Sequence, residues 1–202
     1  MTELPHTFPS GEVFTHVRII IGMVMGLSVS RLITGLTRFV QHPGREQLYL
    51  PHIGWVLFLL LFIIHFWWFE FALTRRTNWY FAIYFFLLFY AGMFVALSAV
   101  LFPDRMDEYQ GFRDYFRKRR NAFYVLLLIL LVVDVIDTVL KGKAYYVTYY
   151  YDSWFYPARQ GLLIVGALLG LMWQSERYQV AFAVFALTFQ VLWIASLFEV
   201  LR

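Results

Sequence analysis

The sequence predicts an all-α protein, a polytopic bundle of six transmembrane helices. Hydrophobic residues make up 61% of the 202-residue chain and aromatic residues 21%, well above the roughly 45–50% apolar content of soluble domains. Six apolar runs each have about the 20 residues that a helix needs to cross a bilayer. Because only short breaks separate most of these runs, no room is left for a separate soluble domain.

The predicted spans follow these runs in chain order and form one membrane-embedded domain over residues 1–202. They cover residues 17–40, 53–73, 79–102, 122–141, 158–174 and 179–200. Charged residues mark the breaks after the first five spans: Arg45, then Arg75 and Arg76, then the stretch 104–120, then Lys141 and Lys143, then Arg177. The first run is too long for a cleavable signal, so we expect the first span to act as its own insertion signal.

Six spans place both termini on the same side of the membrane, which we name side A; the opposite side is side B. Lys and Arg are slightly more numerous on side B, where residues 117–120 form a dense basic run. Positive charge is retained in the cytoplasm during insertion. We therefore expect a multi-pass protein of the cell membrane, typical of a bacterial inner membrane, with its termini outside.

The two halves of the chain share a weak pattern. Residues at a constant spacing match in three pairs: Pro51 with Pro157, Trp67 with Trp173, and Glu70 with Glu176. A repeat of three spans would make the second copy inverted, an arrangement that recurs among secondary transporters. The alternative is a plain six-helix bundle with chance matches.

Two connecting segments are rich in aromatic residues. In the stretch 104–120, aromatic side chains recur at helical spacing among Arg and Lys, which predicts a short interfacial helix on side B. A solvated loop with aromatic anchors is the alternative. On side A, the tract 145–156 is dense in Tyr and should lie at the level of the lipid headgroups.

Ionisable residues inside the apolar runs are the best clue to function, because charges at bilayer depth are costly. Arg31 lies near the centre of the first span, whereas Asp134 and Asp137 lie in the side A half of the fourth. His65 and Glu70 of the second span fall in the same half. We predict an Arg31–Asp134 ion pair, which would leave Asp137 as a proton acceptor or weak cation site.

The first span adds a polar stripe to this picture. Ser30 and Thr34 share one side of its helical wheel with Arg31, so we include both in a predicted polar path. Two simpler explanations remain open. The ion pair could merely lock the fold, and His65 could be a hydrogen-bonded core histidine.

Motifs of catalysis are absent from the sequence. The chain has no cysteine, which excludes disulfides and thiolate chemistry, and it contains no HExxH motif or glycine-rich phosphate loop. His16, His42 and His52 lie at or near span ends, which argues against haem. We therefore expect no enzyme activity, no metal and no cofactor. The net charge of +4 fits membrane topology, so we expect no nucleic-acid partner.

The leading hypothesis is a small ion channel or a proton- or cation-linked transporter, with a small ion or proton and membrane lipid as partners. A chain of this size would need to form a homo-oligomer to enclose a pore. The rival hypothesis is a non-catalytic accessory or assembly subunit of a larger membrane complex. Acids that line a cavity open to side A would favour transport, whereas acids sealed between packed helices would favour the structural role.

Overall fold

The computed structural model describes residues 10–41, 48–76, 78–142, 145, 147 and 154–196. Within these ranges the chain is all-helical and contains no strand, which confirms the all-α part of the prediction. The helices are α1 (Ser10–Gln41), α2 (Leu50–Phe69), a short 3₁₀ helix (Glu70–Arg75), α3 (Phe81–Leu101), α4 (Phe112–Leu140), α5 (Phe155–Met172) and α6 (Glu176–Ser196). All six α-helices of the described residues are long and apolar enough to cross a membrane.

Local sequence explains several helix ends. Pro51 occupies the first turn of α2, where its missing N–H would have no helical partner in any case. Gly111 precedes α4 with a φ of 127°, a conformation that favours glycine. α1 begins at Ser10, well before the predicted start at residue 17, and residues 197–200 of the predicted last span lie outside the described residues.

The helices alternate in direction along the bundle. The start of α1 lies beside the start of α3, since the ring of Phe14 is 6.2 Å from that of Trp79. At the other end, the ring of Phe39 in α1 is 6.5 Å from that of His52 in α2 and 5.0 Å from that of Phe112 in α4. The starts of α1, α3 and α5 therefore define one end of the bundle, side A, and the starts of α2, α4 and α6 define side B.

Aromatic side chains fill the centre of the bundle. Trp55 of α2 contacts Phe58, Phe123, Tyr124 and Phe182, with ring centroids 5.0–5.9 Å apart. Tilted and edge-on aromatic pairs of this kind add stability beyond the area they bury. The core between α2, α4 and α6 is consequently dense and apolar.

The two halves of the bundle pack differently. α1 packs chiefly on α3, but the corresponding first helix of the second half, α4, packs chiefly on α5 and α3. α2 packs chiefly on α6. The packing gives the inverted repeat no support, and the repeat stays a prediction.

The basic segment on side B is not a separate helix. Residues 104–111 are non-helical. α4 runs without a break from Phe112 to Leu140, a range that contains no glycine or proline. The predicted interfacial helix is thus the first part of α4. Most of the aromatic tract 145–156 lies outside the described residues; of its first residues, Tyr145 is described and packs against Phe69, with ring centroids 6.4 Å apart.

Candidate functional site

Asp134 is the centre of a buried polar cluster between three helices. Tyr90 of α3 donates a hydrogen bond to its Oδ1 at 2.6 Å. Tyr156 and Gln160 of α5 donate to its Oδ2 at 2.7 and 2.5 Å. Hydrogen bonds to a charged acceptor are stronger than those between neutral groups. This carboxylate therefore ties α3, α4 and α5 together.

Arg159, the residue before Gln160 on α5, is a buried arginine. Arg159 is 1% exposed, and its guanidinium donates to Gln190 Oε1 of α6 at 2.5 and 3.0 Å and to Gln160 Oε1 at 3.0 Å. It also lies over the ring of Phe62, with Cζ 4.9 Å from the centroid. Gln160 accepts from Arg159 and donates to Asp134, so its amide links the cation to the carboxylate.

A second set of charges closes the side A end of the cluster. Lys141, directly after α4, forms an ion pair and hydrogen bond with Asp137, and its Nζ lies 2.9 Å from Glu70 Oε1. The side chains of Lys141 and Asp137 are 3% exposed and that of Glu70 is 8% exposed. Removing such charges from water is costly unless they are paired. We name these three residues the Lys141 triad.

Electrostatics within the triad hold the lysine in its charged form. Burial lowers the pKa of Lys141, but the nearby carboxylates of Asp137 and Glu70 raise it by more, so the pKa lies well above its usual value. Asp137 Oδ1 and Glu70 Oε2 accept no hydrogen bond from the described residues. One lysine is therefore shared by two acids whose remaining oxygens are buried and unpaired.

The five ionisable groups of this cluster do not balance in charge; Arg76, at the same end of α4, donates to the Leu140 carbonyl at 2.6 Å and forms no ion pair with the described residues. Asp134, Asp137 and Glu70 contribute three carboxyl groups, whereas Lys141 and Arg159 contribute two cations. With every group ionised, the cluster would carry a net charge of −1. It becomes neutral when it holds one proton or one monovalent cation.

A small cavity of about 20 Å³ adjoins these groups. Its lining includes His65, Asp134, Asp137, Lys141 and Trp193. Trp193 Nε1 donates to His65 Nε2 at 2.8 Å, so the histidine is part of the polar cluster as well as of the core. A cavity of this size has room for about one water molecule, which is too small for an organic substrate.

The structure brings together four of the seven residues predicted for the polar path. Asp134, Asp137 and His65 line one cavity, and Glu70 joins them through Lys141. Ser30 and Thr34 do not belong to this group. Both are exposed on the outer face of α1.

The expected Arg31–Asp134 ion pair does not form. Arg31 pairs with Asp104, in the connection after α3, and Asp134 is satisfied by tyrosine and glutamine. The predicted pair was wrong because Arg31 lies beside the connection that follows α3, where Asp104 is its partner. Gly35 of α1 lies against Phe102 just past the end of α3, so Arg31 is near side B rather than near the centre.

Most partners of the acids were not predicted. Arg159 and Lys141 lie at the ends of predicted spans, a position that does not distinguish a buried cation from a surface one. Gln190 is a polar residue with apolar neighbours on both sides, which is a signal that could have identified it, whereas Gln160 directly follows Arg159. Tyr90 and Tyr156 carry no such signal, since tyrosine is common at helix ends and in aromatic cores.

Among the described residues, no three His, Asp or Glu side chains are grouped as a metal ion would require. The chain matches no protein-family model, no curated protein and no solved structure. The cluster itself is therefore the basis for any functional conclusion.

Proposed function

We propose that the chain is a multi-pass membrane protein whose buried cluster exchanges protons in a proton-linked transport process. The membrane assignment rests on six apolar helices and on the large apolar side chains exposed on their outer faces. Met23, Leu27, Val132 and Leu192 are each at least half exposed. Monomeric soluble proteins rarely expose apolar patches of this extent.

The charge imbalance of the cluster carries the proposal of proton exchange. Three carboxyl groups face two cations in a site from which water is largely excluded, and the unpaired oxygens belong to Asp137 and Glu70. Taking up a proton would remove the excess negative charge without any new cation. Ionisable groups inside membrane bundles commonly mark such proton paths.

Position within the bundle supports a directional path. Glu70 and Lys141 lie at the side A ends of α2 and α4, and the aromatic core around Trp55 separates them from side B. Protons would reach the cluster from side A, and passage towards side B would need a rearrangement of the core. With side B cytoplasmic, the cluster would exchange protons with the outside.

A second candidate function is the accessory or assembly subunit of a larger membrane complex. The observation that favours it is the burial of the acids. As whole residues, Asp137 is 2% exposed and Glu70 6% exposed, and the adjoining cavity has room for about one water. Acids that are buried in this way are suited to a structural role in which their contacts stabilise the packing of the helices. The sealed geometry thus favours the structural role, while the charge imbalance favours exchange.

Proton flux into liposomes distinguishes the two candidates. Purified protein is reconstituted with a pH-sensitive dye inside the vesicles, and pH and potassium gradients are imposed. The native chain is compared with Glu70→Gln and Asp137→Asn. Glu108→Gln is the matched control, because it makes the same chemical change at an exposed carboxyl group between α3 and α4.

We expect proton flux in the native chain and in the Glu108 control, and a loss of at least about tenfold in the two cluster variants, as for a group that carries the proton itself. Circular dichroism and gel filtration establish that each variant is folded. Absence of flux under every gradient, with folded protein, would reject proton-linked transport and leave the accessory role.

A further inference from the structure

A cleft with unpaired arginines opens at the side B end of the bundle, between the starts of α2, α4 and α6. Its inner cavity has a volume of about 170 Å³ and is lined by polar residues that include Arg113, Arg117, Arg120 and Glu176. A second cavity of about 350 Å³ shares Tyr49, Arg113 and Glu176 with it. Both are far larger than the cavity in the polar cluster.

The three arginines share one face of α4, because they are spaced by four and then three residues. Glu176 at the start of α6 is the acid that lines the cleft, and it pairs with Arg113. The nearest acid on α4 itself, Asp114, pairs with Lys118 at 2.9 Å. Neither acid forms an ion pair with Arg117 or Arg120.

Arg120 is 5% exposed and its guanidinium contacts only neutral acceptors. It donates to Asn121 Oδ1 at 3.0 and 3.2 Å and to the Leu171 carbonyl at 3.4 Å. Arg117 forms no hydrogen bond or ion pair with the described residues. A guanidinium removed from water without a counter-ion is unfavourable, so the cleft is suited to an anion.

The shape of the cleft indicates which anion. Guanidinium groups bind phosphate through paired hydrogen bonds in a fixed fork. The outer cavity continues from the arginines to apolar residues, including Leu48, Leu50 and Val180, and Leu48 and Leu50 are more than half exposed. A phosphate between the arginines could therefore be attached to an apolar group that lies over these side chains.

We infer that this cleft binds a phosphate group, of the kind carried by the headgroup of an anionic phospholipid or by soluble phosphate. Basic pockets between membrane helices on the cytoplasmic side bind anionic headgroups in this way. The site is independent of the proton-exchange cluster, which lies at the opposite end of α4.

The test measures thermal stabilisation of the full chain, purified in a neutral detergent. Three probes are titrated separately: phosphatidylglycerol, phosphatidylcholine and inorganic phosphate. A ligand that binds only the folded protein raises the melting temperature. Arg117→Gln is the test variant, and Arg119→Gln is its matched control. Both remove one positive charge from an exposed position, but Arg119 points to Tyr109 with Nε 3.1 Å from its hydroxyl.

We expect phosphatidylglycerol to stabilise the native chain and phosphatidylcholine to have little effect. Binding should weaken by about tenfold or more in Arg117→Gln, as for loss of a charge-assisted contact, and should be nearly unchanged in Arg119→Gln. Arg120→Lys keeps the charge but not the fork and should weaken binding to a smaller degree.

The outcomes separate the sources and the alternatives. Stabilisation by phosphatidylglycerol alone identifies a lipid headgroup, and equal stabilisation by inorganic phosphate identifies a soluble phosphate; both support the site. Equal weakening in Arg117→Gln and Arg119→Gln would overturn it, because attraction to the overall positive charge would then explain the binding. No stabilisation by any probe would overturn it as well.

Discussion

The charged side chains at the two ends of α4 differ in how they are balanced. At its start, Arg113, Arg117 and Arg120 face an open cleft, and two of them have no carboxylate partner. At its end, Asp134 accepts hydrogen bonds from neighbouring helices, and Asp137 pairs with Lys141, directly after α4. Buried charges must be paired within the protein, whereas charges beside a cavity can be balanced by what enters it. The closed end therefore stabilises the fold, and the open end is suited to recognition.

Loss of the shared cation should have the largest effect. Replacing Lys141 by Met leaves Asp137 and Glu70 as two buried acids with no cation, and we expect the free energy of unfolding to fall by about 3–5 kcal/mol. Chemical denaturation in detergent measures the change. Adding Glu70→Gln and Asp137→Asn to the same chain should restore most of the stability. A single variant as stable as the native chain would show that the triad does not hold the closed end together.

The pH dependence of the native chain gives a further check on the same lysine. The pKa of Lys141 is raised in the folded state above its unfolded value of about 10.4. A raised pKa means that the stabilisation is fully present below about pH 10.4 and is lost as the pH rises through the folded value. The contribution of Lys141 to the free energy of unfolding should thus be constant across the neutral pH range. In Lys141→Met, the fall in this free energy at alkaline pH that is due to the lysine should be absent.

Removal of one central charge should have an intermediate effect. Asp134→Asn keeps the size of the side chain but removes the carboxylate to which Tyr90, Tyr156 and Gln160 donate, and it leaves Arg159 without a nearby balancing charge. We expect a loss of about 2–3 kcal/mol, typical of hydrogen bonds to a charged group. Asp107→Asn, at an exposed position, is the control. Equal stability of the two variants would contradict the central role of Asp134.

The smallest effect should come from the exposed ion pair towards side B. The side chains of Arg31 and Asp104 are 32% and 83% exposed, and solvent-exposed pairs contribute about 0.2–1 kcal/mol. Arg31→Ala should therefore change the melting temperature little. A loss as large as that of Lys141→Met would mean that Arg31 is buried in a pair of its own, and the contrast between the two ends would fail.

The closed end could be predicted only in part from the sequence. Hydropathy located the six helices, and the position of Asp137 inside an apolar run agrees with its burial, whereas Asp134 is only partly buried. Their partners depend on how the helices are rotated and shifted against one another. The hydropathy of each helix, taken by itself, does not specify this packing. Arg31 illustrates the problem, since α1 is centred about three residues (roughly 4.5 Å) before the predicted span 17–40 and Arg31 pairs with Asp104 instead of Asp134.

The open end was harder to predict for a different reason. The basic run 117–120 was visible in the sequence, but a loop, an interfacial helix and the start of a span all suit such a run. Two features of the structure show which of these interpretations of the basic run is correct. α4 begins at Phe112, and the helical spacing of Arg113, Arg117 and Arg120 then directs them to one cleft while Arg119 points to Tyr109.

The polar cluster also has a consequence for how the chain is made. In the proposed membrane protein, synthesis from the amino terminus delivers Glu70 on the 3₁₀ helix long before Lys141, and Asp134 before Tyr156 and Gln160. Until α5 is made, Asp134 of a four-helix intermediate lacks two of its three side-chain donors, Tyr156 and Gln160. Insertion would therefore be completed by the last two helices, and truncation before α5 would leave a product with unpaired charges that the membrane-insertion machinery must retain or remove.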